Sequence, residues 1–151
     1  MPPASSSASN APPAPPALLE RIRRRDAVVG VIGLGYVGLP LAQQATARGM
    51  RVAGLDLNQR VVDDLNAGRS HIDDLTDDEV TAMAAGGFVA TTDARVLSDA
   101  EAIVICVPTP LGEYREPDLS YVVGATETAI ANLAPGALVA LESTTWPGTT
   151  R

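Results

Sequence analysis

From Ala27 onward, short apolar blocks alternate with stretches in which apolar residues recur every three or four positions. Ala27 to Ile32 (AVVGVI), Met50 to Asp56 (MRVAGLD), Phe88 to Thr91, Ala102 to Val107 (AIVICV) and Ala137 to Leu141 read as strands, because they are short and rich in aliphatic and β-branched residues. The stretches between them carry helical spacing. Tyr36 to Arg48 reads as a helix closed by Gly49, and Asn58 is placed to cap a second helix that runs to Ala67 and stops at Gly68. Thr76 to Glu79 (TDDE) has the form of a capping box, opening a helix that ends near Gly86 and Gly87. Ser120 to Leu133 is the last helix, and Pro135-Gly136 turns the chain into the final strand.

Unbroken apolar runs such as AIVICV suit strands buried on both faces, and their alternation with helices implies right-handed crossovers in a parallel sheet. The expected fold class is therefore α/β, a Rossmann-type doubly wound sheet with strand order 3-2-1-4-5. A complete domain of this kind adds a sixth strand after the fifth. The sequence reaches Arg151 soon after Leu141, so that strand is expected to be missing. Residues 27–151 form the expected domain. Residues 1–26 are expected to be a Pro/Ala/Ser-rich tail with a short basic segment, disordered because MPPASSSASNAPPAPPA offers no apolar surface to offset its ordering entropy.

The densest pattern lies where the first strand hands over to the first helix, in VVGVIGLGYVGLPLAQQ. Gly33, Gly35 and Gly38 satisfy G-x-G-x-x-G in the strand-turn-helix context that gives this motif meaning. The first glycine makes the tight turn, the second lets backbone approach a pyrophosphate, and the third permits close helix packing. Phosphates then meet the positive end of the helix beginning at Tyr36. Asp56 ends the second strand, where a carboxylate accepts hydrogen bonds from an adenosine ribose and repels a 2′-phosphate, which favours NAD over NADP. Arg60 stands near enough in sequence to soften that repulsion. Thr109, between the prolines of VPTP, and Thr144, in ESTTWPGTT, follow the fourth and fifth strands at the edge where open α/β folds bind ligands.

Composition narrows the alternatives. The 151 residues are 46% hydrophobic and 19% charged, in the range of one globular domain. A formal net charge of -7 argues against nucleic acid, since RIRRR (Arg21 to Arg25) is a single short basic cluster. Ala27 to Ala42 is uncharged, but it is shorter than the roughly 20 residues that span a bilayer and is broken by glycines and Pro40, which argues against membrane insertion. One cysteine, Cys106, excludes an internal disulfide framework and fits the cytoplasm. It lies within AIVICV and reads as a buried small hydrophobe. His71, in SHIDD, reads as a solvent-facing or locally bonded residue. Asp73, Asp74, Asp77, Asp78 and Glu79 lack EF-hand spacing and read as a solvated helix start, so no metal site is expected. Tyr114, Arg115 and Glu116 fall in a long loop, and Trp146 either borders the cofactor or covers the end of the sheet.

GLGYVGLPLA, CVPTPL, YREPDLSYV and ESTTWPGTT, in this order, resemble the amino-terminal domain of the UDP-glucose/GDP-mannose dehydrogenases. The resemblance is nearest to the UDP-N-acetylglucosamine and UDP-N-acetylmannosamine 6-dehydrogenase branch. It implies an oxidoreductase of polysaccharide biosynthesis that oxidises the C6 hydroxymethyl of a UDP-sugar to a carboxylate with two NAD, through a cysteine-bound intermediate. It also implies backbone phosphate contacts at Tyr36 and Val37, the ribose on Asp56, a cofactor contact at Thr109, and Thr144 near the nicotinamide and the catalytic water. The family often places Lys or Arg five residues after the ribose acid; here Val61 holds that position and Arg60 precedes it. Its nucleophilic cysteine and that cysteine's partners have no counterpart in this chain. The isolated chain is therefore expected to be inactive, with a missing carboxyl-terminal half and a homo-oligomer as expected partners. Two other readings are a stand-alone dinucleotide-binding or regulatory module, or a truncated gene product, and a methyltransferase or flavoprotein using the same fold.

Overall fold

The structure is a computed structural model and describes residues 17–111, 118–145 and 149. Its core is a five-stranded sheet of β1 (Val28–Ile32), β2 (Arg51–Leu55), β3 (Phe88–Thr91), β4 (Ala102–Ile105) and β5 (Leu138–Leu141). All pairings are parallel and the order is β3-β2-β1-β4-β5, as the alternation of strands and helices predicts. Val29 sits beside Val52 on one side and Ala102 on the other, so β1 lies at the centre of the sheet.

The pleat divides the apolar residues between two layers. On one face, Val29, Val31, Val52 and Ala90 pack with residues of α2 (Gly38–Ala47), α3 (Gln59–Asn66) and α4 (Asp77–Ala85). On the other, Ile32, Ile103 and Ile105 meet Leu97 of a 3₁₀ segment (Ala94–Asp99) and Ala125 and Ala129 of α5 (Ser120–Asn132). Burial on both faces accounts for the unbroken apolar runs in β1 and β4.

Local signals fix the helix ends. The Asn58 side chain accepts from Arg60 N, and Thr76 and Glu79 form both halves of the capping box. Asp77 serves a second purpose, its Oδ1 accepting the Ser70 amide at 2.7 Å. Most boundaries agree with the sequence reading to within one residue, and two differ by two residues. The first long helix begins at Gly38 rather than Tyr36, because residues 35–37 are given over to the turn. The fourth strand ends at Ile105 rather than Val107. Its neighbour β1 turns away at Gly33, so only the Cys106 amide finds a further ladder partner, Ile32 O at 2.8 Å.

Part of the segment expected to be tail is ordered. Residues 18–24 form helix α1 (Leu18–Arg24), held by Arg21: Nη1 donates to Glu101 at 2.7 Å, and Nε and Nη2 donate to Asp26. Glu101 in turn accepts the Val28 amide at the start of β1. The basic cluster therefore includes a structural tie, not only solvated charge. The 3₁₀ segment is a second addition, capped by Asp93, whose side chain accepts from Arg95 N.

Candidate functional site

The carboxyl ends of the strands open into a cleft of about 1120 Å³. Its floor is the turn after β1. Gly33 has φ +91° and donates to Leu55 O at 2.8 Å, and a Cβ there would stand 2.7 Å from the Cys106 carbonyl oxygen. A left-handed backbone pressed against a neighbouring strand leaves room only for glycine. Leu34 is fully buried and pins the turn from below, while Tyr36 and Val37 are 66% and 55% exposed above it. Gly35 lines the cleft and a Cβ on it would meet nothing within 4 Å, so the space over this backbone is open. Beneath, a Cβ on Gly38 would strike Gly33 O and stand 3.1 Å from Cys106 Cβ.

Asp56 binds the turn to the rest of the sheet. One carboxylate oxygen accepts Leu34 N at 2.9 Å, the other accepts Asn58 N at 2.9 Å, and its own amide donates to Thr91 O. Each oxygen keeps acceptor capacity for a ligand hydroxyl. This positional duty was not legible in the sequence, where Asp56 appeared only as a ligand-binding acid.

Thr109 and Thr144 line the opposite end of the cleft. Their loops are joined: Ser143 Oγ donates to Val107 O at 2.7 Å, and Glu142 N donates to Ile105 O at 2.9 Å. Of the residues singled out from sequence, Gly33, Gly35, Tyr36, Val37, Asp56, Thr109 and Thr144 converge on one cleft. Gly38 lies under it, and the exposed Arg60 is not on its wall; Val61, one residue later, is. Tyr114, Arg115, Glu116 and Trp146 lie outside the described residues.

Sequence reasoning missed one wall. Ser120, Gly124 and Thr128 of α5 line the cleft with Tyr121 and Ala125. Small residues four apart on one helix face were the available signal. His71, read from the sequence as solvent-facing or locally bonded, is half-buried and forms part of the wall. The described wall carries the carboxylates of Asp56 and Glu142 and no Arg. An anion in this cleft would depend on backbone amides and the start of α2, where Val37 supplies no side-chain cap.

Cys106 lines the cleft but is buried, and burial followed by the nearby Glu142 charge pushes its thiol up to about 11. A protonated thiol is a poor nucleophile. Native-state alkylation of Cys106 is expected to be slow at pH 8 and to rise only as pH approaches 11; fast labelling at pH 8 would refute this. Because the folded value lies above the ordinary 9.0, the group's contribution to stability is intact below pH 9 and is lost as pH rises toward 11. Cys106→Ala is expected to lose that alkaline slope and to bind dinucleotide within about threefold of the parent.

An open space above Gly35, a left-handed Gly33, an acid at the end of β2 and an uncapped helix start fit an NAD molecule bound along the strand ends. The family model described as the UDP-glucose/GDP-mannose dehydrogenase family, NAD binding domain, matches residues 27–151. The chain is 44% identical over 126 residues to the UDP-N-acetyl-D-mannosamine dehydrogenase of Escherichia coli K12, covering 82% of this chain and 29% of that protein. It is 41% identical over 124 residues to the NDP-N-acetyl-D-galactosaminuronic acid dehydrogenase of Ralstonia nicotianae, covering 81% and 29%. A solved UDP-D-ManNAc dehydrogenase from Pyrococcus horikoshii superposes with a TM-score of 0.76 at 37% identity, covering 82% of this chain and 30% of that one. The chain thus spans under a third of the length of these relatives. It belongs to the UDP-glucose/GDP-mannose dehydrogenase family and is an NAD-binding domain of that family.

Proposed function

We propose that this chain is the cofactor-holding part of a nucleotide-sugar 6-dehydrogenase, an enzyme that oxidises the C6 hydroxymethyl of a UDP-N-acetylhexosamine to a carboxylate. The observation that carries the reading is the glycine turn tied to Asp56, with the Thr109 and Thr144 loops joined across the same cleft. NAD, when bound, accepts hydride from the sugar carbon. The chain's own residues then have separate duties. Gly33, Gly35, Tyr36 and Val37 present backbone to the pyrophosphate, and Gly38 keeps the helix close beneath them. Asp56 receives the adenosine ribose hydroxyls and disfavours a 2′-phosphate. Thr109 and Thr144 offer hydroxyls toward the nicotinamide end, where Thr144 orients a water. Arg60, away from the wall, has no part in this assignment.

The nucleophilic thiol belongs to residues outside this chain, because Cys106 is buried and stays protonated. A cytoplasmic homo-oligomer working in polysaccharide biosynthesis completes the proposal. Among the described residues, no helix is long and apolar enough to cross a membrane.

Titration of the chain tests the cofactor side. Saturable NAD binding is expected, with NADP weaker by at least about tenfold and no response to S-adenosylmethionine or FAD. Equal NADP affinity would overturn the role given to Asp56. Incubation with NAD and UDP-N-acetylmannosamine is expected to produce no sugar carboxylate, the product that requires the thiol-dependent second oxidation. Its appearance would show that the nucleophile lies within these 151 residues.

A further inference from the structure

Among the described residues, one buried side-chain polar atom has no hydrogen-bond partner: Nδ1 of His71. The same residue lines the cleft. Its loop is firmly built. Ser70 N donates to Asp77, Ser70 Oγ donates to Ile72 O at 2.9 Å, and Ile72 and Leu75 are buried in the core on either side of the acidic pair. On the helix side, Arg69 donates twice to Asp64 and its amide donates to Asp64 O. The imidazole is therefore held at the wall by a loop in which Arg69 and Ser70 are bonded, and its own Nδ1 is the buried exception.

Topology assigns His71 to one end of the cleft. The loop connects α3 to α4, which pack on β3 and α2, on the β2–β3 side of the glycine turn. Asp56, Leu57, Asn58 and Val61 line this same end, whereas Thr109 and Thr144 follow β4 and β5. A dinucleotide with its pyrophosphate on the glycine turn and its ribose on Asp56 sends its adenine toward the β2–β3 side. Leu57, 86% exposed, and Val61 supply apolar surface there for a flat base. Apolar surface alone does not distinguish one base from another; a directional polar group does.

His71 can provide that group at little conformational expense. A half-turn of the imidazole about its Cβ–Cγ bond exchanges Nδ1 with the Cδ2–H edge. A carbon then occupies the enclosed position, where no partner is needed, and the nitrogen faces the other edge of the ring. We propose that His71 is a recognition residue for the adenosine end of the bound dinucleotide, with Nδ1 turned to the ligand. The inference rests on the NAD-binding reading of the cleft and adds to it a residue from outside the glycine motif.

The test compares the parent chain with His71→Phe, which keeps a ring without nitrogen, and His71→Asn, whose amide stands where Nδ1 stood. Each is titrated with NAD, ADP-ribose and nicotinamide mononucleotide, and each melting curve is recorded. His71→Phe is expected to weaken NAD and ADP-ribose alike by about tenfold, the effect of one hydrogen bond in an enclosed site, and to leave nicotinamide mononucleotide unchanged. His71→Asn is expected to recover affinity to within about threefold, and His71→Gln, which reaches to the Nε2 position, to recover less. Unchanged NAD and ADP-ribose binding in His71→Phe would overturn the proposal, as would equal loss of all three ligands. If His71→Phe fails to fold, the order of Asn above Gln decides, and the reverse order refutes the assignment. A parent chain that binds no NAD removes the cofactor reading as well; a parent that binds while His71→Phe binds equally removes His71 alone.

Discussion

Gly38→Ala is expected to destabilise the domain by about 3 kcal/mol, lowering its melting temperature by roughly 10 °C, while Gly35→Ala leaves stability within about 1 kcal/mol of the parent. The two glycines belong to one motif but meet different surroundings. A methyl group on Gly38 would run into Gly33 O and crowd Cys106 Cβ at 3.1 Å, and both neighbours belong to structure that cannot easily retreat. A methyl group on Gly35 finds open space, because its neighbour would be the ligand. The binding results should reverse the order of sensitivity. Gly35→Ala is expected to weaken NAD at least about thirtyfold in a fully folded protein, since the added carbon holds the pyrophosphate away from the backbone amides. Calorimetric melting and NAD titration on both variants check this. Gly35→Ala with parental NAD affinity would show that the cofactor does not lie over this turn.

Asp56→Ala is expected to reduce NAD affinity by about a hundredfold and to cost about 2 kcal/mol of stability. The stability loss has a local cause. The carboxylate serves two amides, Leu34 N and Asn58 N, and its removal takes a partner from each. The affinity loss has two parts, the missing ribose acceptor and a loosened turn. Asp56→Asn separates them: one amide oxygen can still accept from Leu34, so the turn recovers in part, while the charge that rejects a 2′-phosphate is gone. The preference for NAD over NADP is therefore expected to shrink in Asp56→Asn by about tenfold. An unchanged preference, read from paired titrations, would place the discrimination elsewhere.

How far the sequence carries the structure depends on the reach of each interaction. The β1–turn–α2 unit, the Thr76 capping box and the Asn58 cap are local, and all are present, with α2 starting two residues later than the pattern of residues predicts. The sheet order follows from strand–helix alternation taken with the dinucleotide-binding glycine pattern, neither of which requires knowledge of individual contacts. What escaped prediction depends on distant partners. Helix α1 is held by Arg21 meeting Glu101, 80 residues away, and a basic run gives no sign of that. His71 and the face of α5 join the cleft only once the layers are stacked on the sheet. Asp56 was recognisable as an acid at a strand end, yet its hold on Leu34 exists only because β1 and β2 are adjacent.

The tie between Arg21, Asp26 and Glu101 determines where the amino-terminal segment leaves the domain. Glu101 precedes β4 and accepts the amide that opens β1, so the segment departs from the edge at which these strands begin. The cleft lies at the edge where they end, separated by a strand of roughly 17 Å. A purification tag, a surface tether or a fused fluorescent protein joined at Leu18 would thus start from the edge opposite the opening. Immobilisation through this end leaves ligand access unobstructed, whereas attachment through the loops after β4 or β5 would crowd the mouth.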